Sequence, residues 1–145
     1  MPSINYYLGA LGRCGNTFRA ARMAGTGVGP DDQSYLFYIC RHPGGSQEEL
    51  GRALCAHKSH VTRHLTHLEK QGFITRTPAP YDRRVLLLHP TEKAQEILPR
   101  LRAVGKEWRL VMCEGFTDEQ RATLEELLER AFVNGRQFLE REGMQ

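Results

Sequence analysis

The sequence has no run of about 18 apolar residues, the length a membrane-crossing helix requires, and its mean hydropathy is −0.50. A membrane span is therefore excluded. The four cysteines, Cys14, Cys40, Cys55 and Cys113, form no CxxC or other close pair, so neither a disulfide framework nor a cysteine-built metal site is expected. Small buried hydrophobes are their expected role. Net charge is almost missing: 20 Lys+Arg against 17 Asp+Glu leave +3 on 145 residues, too little to name a partner by its sum. Also lacking are a nucleophile–base arrangement, a Gly-rich phosphate loop and a metalloprotease motif, so no enzyme, cofactor or resident metal is expected. The opening stretch MPSINYYLGALGRCG carries no basic n-region, which makes a secretory leader unexpected and the cytoplasm the expected compartment. With no repeat or long linker, residues 1–145 should pack as one domain.

What is present is helical punctuation. Ile4, Leu8, Leu11, Phe18 and Ala21 give a first helix, to about Met23, with one stripe to bury. Gly25, Gly27 and Gly29 break the chain, and a second helix should run from Pro30 to about His42. Ser46-Gln47-Glu48-Glu49 reads as a capping box opening a short helix with Leu50, Ala53 and Leu54 on its apolar face. The next helix, about His57 to Gln71, carries Val61, Leu65 and Leu68 on one stripe and ends at Gly72. Two short amphipathic helices joined by a tight turn form a helix-turn-helix pattern.

Beyond Gly72 the periodicity changes. Residues 73–77 and 85–89 read as two strands, with Pro78-Ala79-Pro80-Tyr81-Asp82-Arg83-Arg84 as a basic tip between them. Thr91 caps a long helix to about Met112, expected to kink at Pro99, and Thr117-Asp118-Glu119-Gln120 opens a last one bearing Leu124, Leu127, Leu128, Ala131 and Phe132. The fold class is mainly α with a small β-hairpin, a winged helix-turn-helix, in which the second helix of the pair enters a major groove and the hairpin reaches an adjacent groove or phosphate. Charge agrees with that reading: from His57 to Lys93, seven Lys/Arg face three acids, 7 − 3 = +4, so the other 108 residues sum to −1. On a helical wheel Ser59, Thr62, Arg63, Thr66 and Lys70 lie opposite the apolar stripe, where hydroxyls meet phosphates and Arg63 can bond guanine bidentately.

The stretches QEELGRALCAHKSHVTRHLTHLEKQGFITR, DRR and LLLHPTEKAQEIL give the chain a resemblance to MarR-type transcriptional regulators. The matching positions are Leu50, Lys58, Ser59, Val61, Thr62, Arg63, Leu68, Glu69, Lys70, Gly72, Asp82, Arg84 and Thr91. Gly51, Cys55 and His57 depart from that pattern, which usually has Ala, Gly and a better capping residue there. The resemblance implies a repressor of double-stranded DNA, with about 30–90 as the DNA-binding part and about 1–24 and 91–145 as homodimerisation helices. Its DNA-binding candidates are Lys58, Ser59, His60, Thr62, Arg63, Thr66, Arg83, Arg84 and Asp82, with Asp82 orienting Arg84 toward a minor groove. A small aromatic or phenolic effector is implied between the dimer helices and the winged-helix body, which Tyr6, Tyr7, Tyr35, Phe37, Tyr38 and Trp108 would border.

Three other readings compete. His57, His60, His64 and His67 recur at helical spacing, so two of them could chelate a metal, although no further ligand cluster completes a site. Cys14 lies roughly where related peroxide sensors keep a reactive thiol, but a mid-helix cysteine lacks the cation that would activate it, and packing at a dimer interface is the plainer role. Last is a winged-helix protein-interaction module without DNA binding, which the basic segment argues against.

Overall fold

The computed structural model describes residues 1–144. Its order is α1 (Ile4–Arg22), α2 (Asp32–Arg41), α3 (Gln47–Ala53), α4 (Lys58–Lys70), β1 (Ile74–Ala79), β2 (Asp82–Pro90), α5 (Glu92–Met112) and α6 (Asp118–Arg141). No helix is long and apolar enough to cross a membrane among these residues.

Local chemistry sets most of the boundaries. Ser46 Oγ accepts the Glu49 amide while the Glu49 carboxylate accepts the Ser46 amide, closing the capping box of α3. Thr117 and Gln120 do the same for α6. Gly72, at φ 80°, supplies the left-handed residue that ends α4. α2 starts at Asp32, later than Pro30, and α5 runs through Pro99 as one helix.

The core gathers around the helix-turn-helix. Val61, Leu65 and Leu68 of α4 are buried against Leu36 and Ile39 of α2, Leu50 of α3 and Phe73, Ile74 and Leu88 of the hairpin, and α5 closes the far side with Leu98, Leu101 and Val104. Packing between α3 and α4 is close: a Cβ on Gly51 would stand 3.3 Å from Val61 Cγ2, so an alanine there would require Val61 to shift by a few tenths of an ångström.

Two expectations need correction. The first concerns α1, where only Gly15 is buried and Ile4, Leu8 and Leu11 are exposed: among the described residues only the Phe18 end of the stripe is covered, by Trp108 and the core. The second concerns the cysteines: Cys113 is buried and Cys40 half-buried, whereas Cys55 is exposed and is not a small buried hydrophobe; Cys14 is exposed within the single chain.

The hairpin also differs from expectation. Its strands extend through residues assigned to the tip, leaving Pro80 and Tyr81 alone at the turn. Pairing runs regularly from Ile74↔Pro90 to Pro78↔Leu86 and then jumps to Ala79↔Asp82, so Arg83, Arg84 and Val85 have no partner on β1. Pro78 has no amide hydrogen to continue the ladder, and the extra residues bulge outward. On its other edge β2 is held by residues just before α3, where the Gly44 amide donates to Leu88 O at 2.7 Å and the Leu88 amide to Gly45 O at 2.9 Å.

Candidate nucleic-acid interface

With its apolar stripe buried, α4 leaves Lys58, Ser59, His60, Thr62, Arg63, Thr66 and Lys70 exposed. Its first turn is capped by an imidazole: His57 Nδ1 accepts the Ser59 amide at 3.2 Å and lies 2.7 Å from Ser59 Oγ. That answers the weak-cap departure, since His57 performs the capping role and engages the Ser59 hydroxyl locally. Thr62 Oγ1 donates to Lys58 O at 3.0 Å and accepts from Gln47 Nε2 at 3.3 Å, joining the reading face to α3.

The bulge in β2 carries the exposed arginines. Asp82 accepts the Arg84 backbone amide at 3.0 Å and Nε and Nη2 of the same guanidinium at 3.2 Å each. Arg84 therefore extends in a fixed direction with 91% of its side chain exposed. The same hydrogen bonds hold the Asp82 carboxyl below the usual aspartate range. Among the described residues Arg83 has no such hydrogen bond or ion pair, and Tyr81 stands exposed at the turn.

Not every cation of the basic segment is available. Arg76 donates through Nε and Nη2 to the Glu69 carboxylate at 3.2 Å each and touches Thr66 Oγ1 at 3.4 Å. Its guanidinium is mostly buried, and it holds the Glu69 carboxyl below the usual range. Lys93 lies over the Phe73 ring at 4.5 Å and donates to Gln71 O at 2.6 Å. Lys58, Arg63, Lys70, Arg83 and Arg84 are left as the outward cations.

The aromatic candidates do not form one site. Tyr35, with Phe37, lines a cleft of about 660 Å³ that also takes in Arg19, Gln33, His60, Arg63 and His64. Burial pushes the Tyr35 phenol up. Gln33 Nε2 is buried there with no hydrogen-bond partner among the described residues. Elsewhere, Trp108 packs on Phe18 with centroids 5.3 Å apart, Tyr38 on His42 at 4.5 Å, and Tyr6 and Tyr7 against each other on exposed α1. A groove of about 740 Å³ between α3, the base of the wing and the end of α6 contains none of them.

The histidines separate as well. His57 caps α4, whereas His64 and His67 turn toward Asp32, a residue that sequence reading passes over as an ordinary acid at a helix start. Asp32 is 2% exposed, so its carboxylate needs internal partners. Among the described residues, no three His, Cys, Asp or Glu side chains are placed to hold a metal ion.

A helix-turn-helix packed on a hairpin, with a polar helix face and an arginine-bearing tip on its outer side, defines the chain as a winged helix-turn-helix protein. The model of the MarR family matches residues 32–86. The chain is 35% identical over 100 residues to the HTH-type transcriptional regulator YybA of Bacillus subtilis (strain 168), covering 69% of this chain and 67% of that protein. It therefore belongs to the MarR family of transcriptional regulators, which are DNA-binding proteins and not enzymes.

Solved structures extend the likeness over nearly the whole chain. A MarR transcriptional regulator from Methanosarcina mazei Go1 superposes with a TM-score of 0.87 at 27% identity, covering 93% of this chain and 97% of that one. A putative MarR family regulator from Listeria monocytogenes, complexed with 26mer DNA, shares the fold at a TM-score of 0.86 and 24% identity, covering 100% and 98%.

Proposed function

We propose that this chain acts as a homodimeric repressor that reads a pseudo-palindromic operator and is released by a small aromatic or phenolic anion. The observation that carries the DNA reading is that two exposed cationic elements border one groove: Lys58, at the start of the outward face of α4 that also bears Thr62 and Arg63, and Arg84, paired with Asp82 on the wing. In this reading Arg63 and Thr66 meet base edges and Lys58, Ser59, His60 and Thr62 the backbone. Arg84 enters the minor groove, and Arg83, without an internal partner, meets phosphate.

Dimerisation is supported by apolar side chains left uncovered among the described residues. α6 buries none of its residues, and Leu127, Phe132 and Phe138 are about half exposed, as are Leu8 and Leu11 of α1 and Val111 of α5. A second copy satisfies these stripes and sets two α4 helices about one DNA turn, 34–36 Å, apart. The cleft beside Tyr35 and Phe37 suits an aromatic anion, since Arg19 and Arg63 stand on its walls and the unpartnered Gln33 amide offers a donor. Occupancy there would favour a dimer whose readers no longer match the operator.

The test is selection of duplexes from a random pool by purified protein, followed by affinity measurements across salt. An enriched inverted repeat is expected, with log K falling steeply against log salt. No enrichment and no salt dependence would instead support a winged-helix module that contacts proteins.

A further inference from the structure

We infer that Asp32 is a positioning residue for sequence readout: it clamps the α1–α2 loop to α4 through His64 and His67 and so fixes how the reading face meets the groove. This inference rests on the reading of α4 as the DNA-contacting helix.

The clamp is built from three segments. Asp32, the first residue of α2, accepts the Gly29 amide through Oδ2 at 2.6 Å, while His64 Nδ1 donates to Oδ1 at 2.7 Å. His67 Nε2 is 3.5 Å from Oδ2 and donates to Gly27 O at 2.9 Å. His64 has 16% of its side chain exposed and is stacked on Tyr35 at a centroid distance of 4.6 Å. The loop that separates α1 from α2 contains Gly25, Gly27 and Gly29, so its backbone has little intrinsic preference; these contacts tie it to α4, while the Thr26 hydrogen bonds and buried Val28 hold it locally.

Placement gives the clamp its consequence. His64 and His67 sit one helical turn apart on the flank of α4, next in sequence to the outward Arg63 and Thr66. Apolar packing by Val61, Leu65 and Leu68 holds α4 to the core, but such contacts are non-directional. Hydrogen bonds to a buried carboxylate are directional and fix the roll of the helix about its axis. Base contacts are sensitive to that roll, whereas contacts to phosphates tolerate it.

The test compares affinity for a duplex selected by the unaltered protein with affinity for a random-sequence duplex at the same salt. Asp32→Asn and His64→Leu are expected to lower the specific-to-random ratio about tenfold, the scale of one lost base contact, while random-duplex affinity changes less than about twofold. His64→Asn, which keeps a donor near the Nδ1 position, should retain most of the ratio. Should Asp32→Asn not fold, His67→Gln, at a ring 44% exposed, serves with a smaller expected loss of about threefold. A fall in both affinities together, or an unchanged ratio in folded variants, overturns the positioning role alone. Absence of any selected duplex for the unaltered protein overturns the DNA-reading model and this inference with it.

Discussion

The apolar stripes of α4 and α6 have the same periodicity and opposite fates. Val61, Leu65 and Leu68 are at most 2% exposed, whereas Leu127, Leu128 and Phe132 are 40–53% exposed. The winged-helix half therefore closes its core within one chain, while the outer helices offer a surface that the proposed second copy would cover. If the proposed dimer forms, stability and assembly are carried by different parts of the molecule, and a substitution in each should separate them.

The largest effect is expected in the closed half. Leu65→Ala should cost about 2–5 kcal/mol of folding stability, since it opens a cavity among fully buried neighbours. Chemical denaturation will read that loss. Phe132→Asp should leave the winged-helix core folded but place a charge on the stripe of α6, so sedimentation equilibrium should show a 16.5 kDa species in place of a dimer. A variant that still sediments as a dimer would remove Phe132 from the interface.

The second comparison lies within the basic segment, between a cation that points out and one that is internally engaged. Arg84→Ala should weaken operator binding by about 1–3 kcal/mol in a shift assay at fixed salt, with stability unaltered. Arg76→Ala should leave the salt slope of binding unchanged, because its charge is already met by Glu69. It should cost about 1–3 kcal/mol of stability, because the mostly buried side chain gives up packing as well as its charge-assisted hydrogen bonds to Glu69. Equal loss of operator affinity in the two variants would collapse the distinction.

Composition alone could not draw that distinction. The +4 of the basic segment is visible in the sequence, but Arg76 meets Glu69 across the start of a strand, and His64 meets Asp32 from 32 residues away. Such pairings depend on tertiary packing, which no local pattern encodes. Helix starts were legible because Ser46, Thr91 and Thr117 each act on amides three residues ahead. The bulge was not, since it depends on the register of two strands, although Pro78 marks where a ladder must fail. The stripe of α1 is legible as apolar, yet within one chain Ile4, Leu8 and Leu11 lie exposed: periodicity identifies a face but not what covers it.

The smallest expected effect is at the turn between α3 and α4. Cys55 has φ 50°, the one non-glycine residue in the left-handed region among those described, and it occupies the position where the family resemblance leads one to expect glycine. A side chain there carries a cost of about 1–2 kcal/mol, offset in part by the roughly 0.5–1 kcal/mol of extra backbone entropy that glycine loses on folding. Cys55→Gly should therefore stabilise the protein by a few tenths to about 1 kcal/mol, measured by thermal or urea unfolding. Because Cys55 is exposed and the thiol's one hydrogen bond among the described residues is a 4.0 Å approach to Arg52 O, little is lost with the side chain. Cys55→Ala separates the causes: it removes the sulfur but keeps the Cβ, so it should leave stability near that of the unaltered chain. Equal stabilisation by both variants would locate the cost in the thiol and not in the backbone.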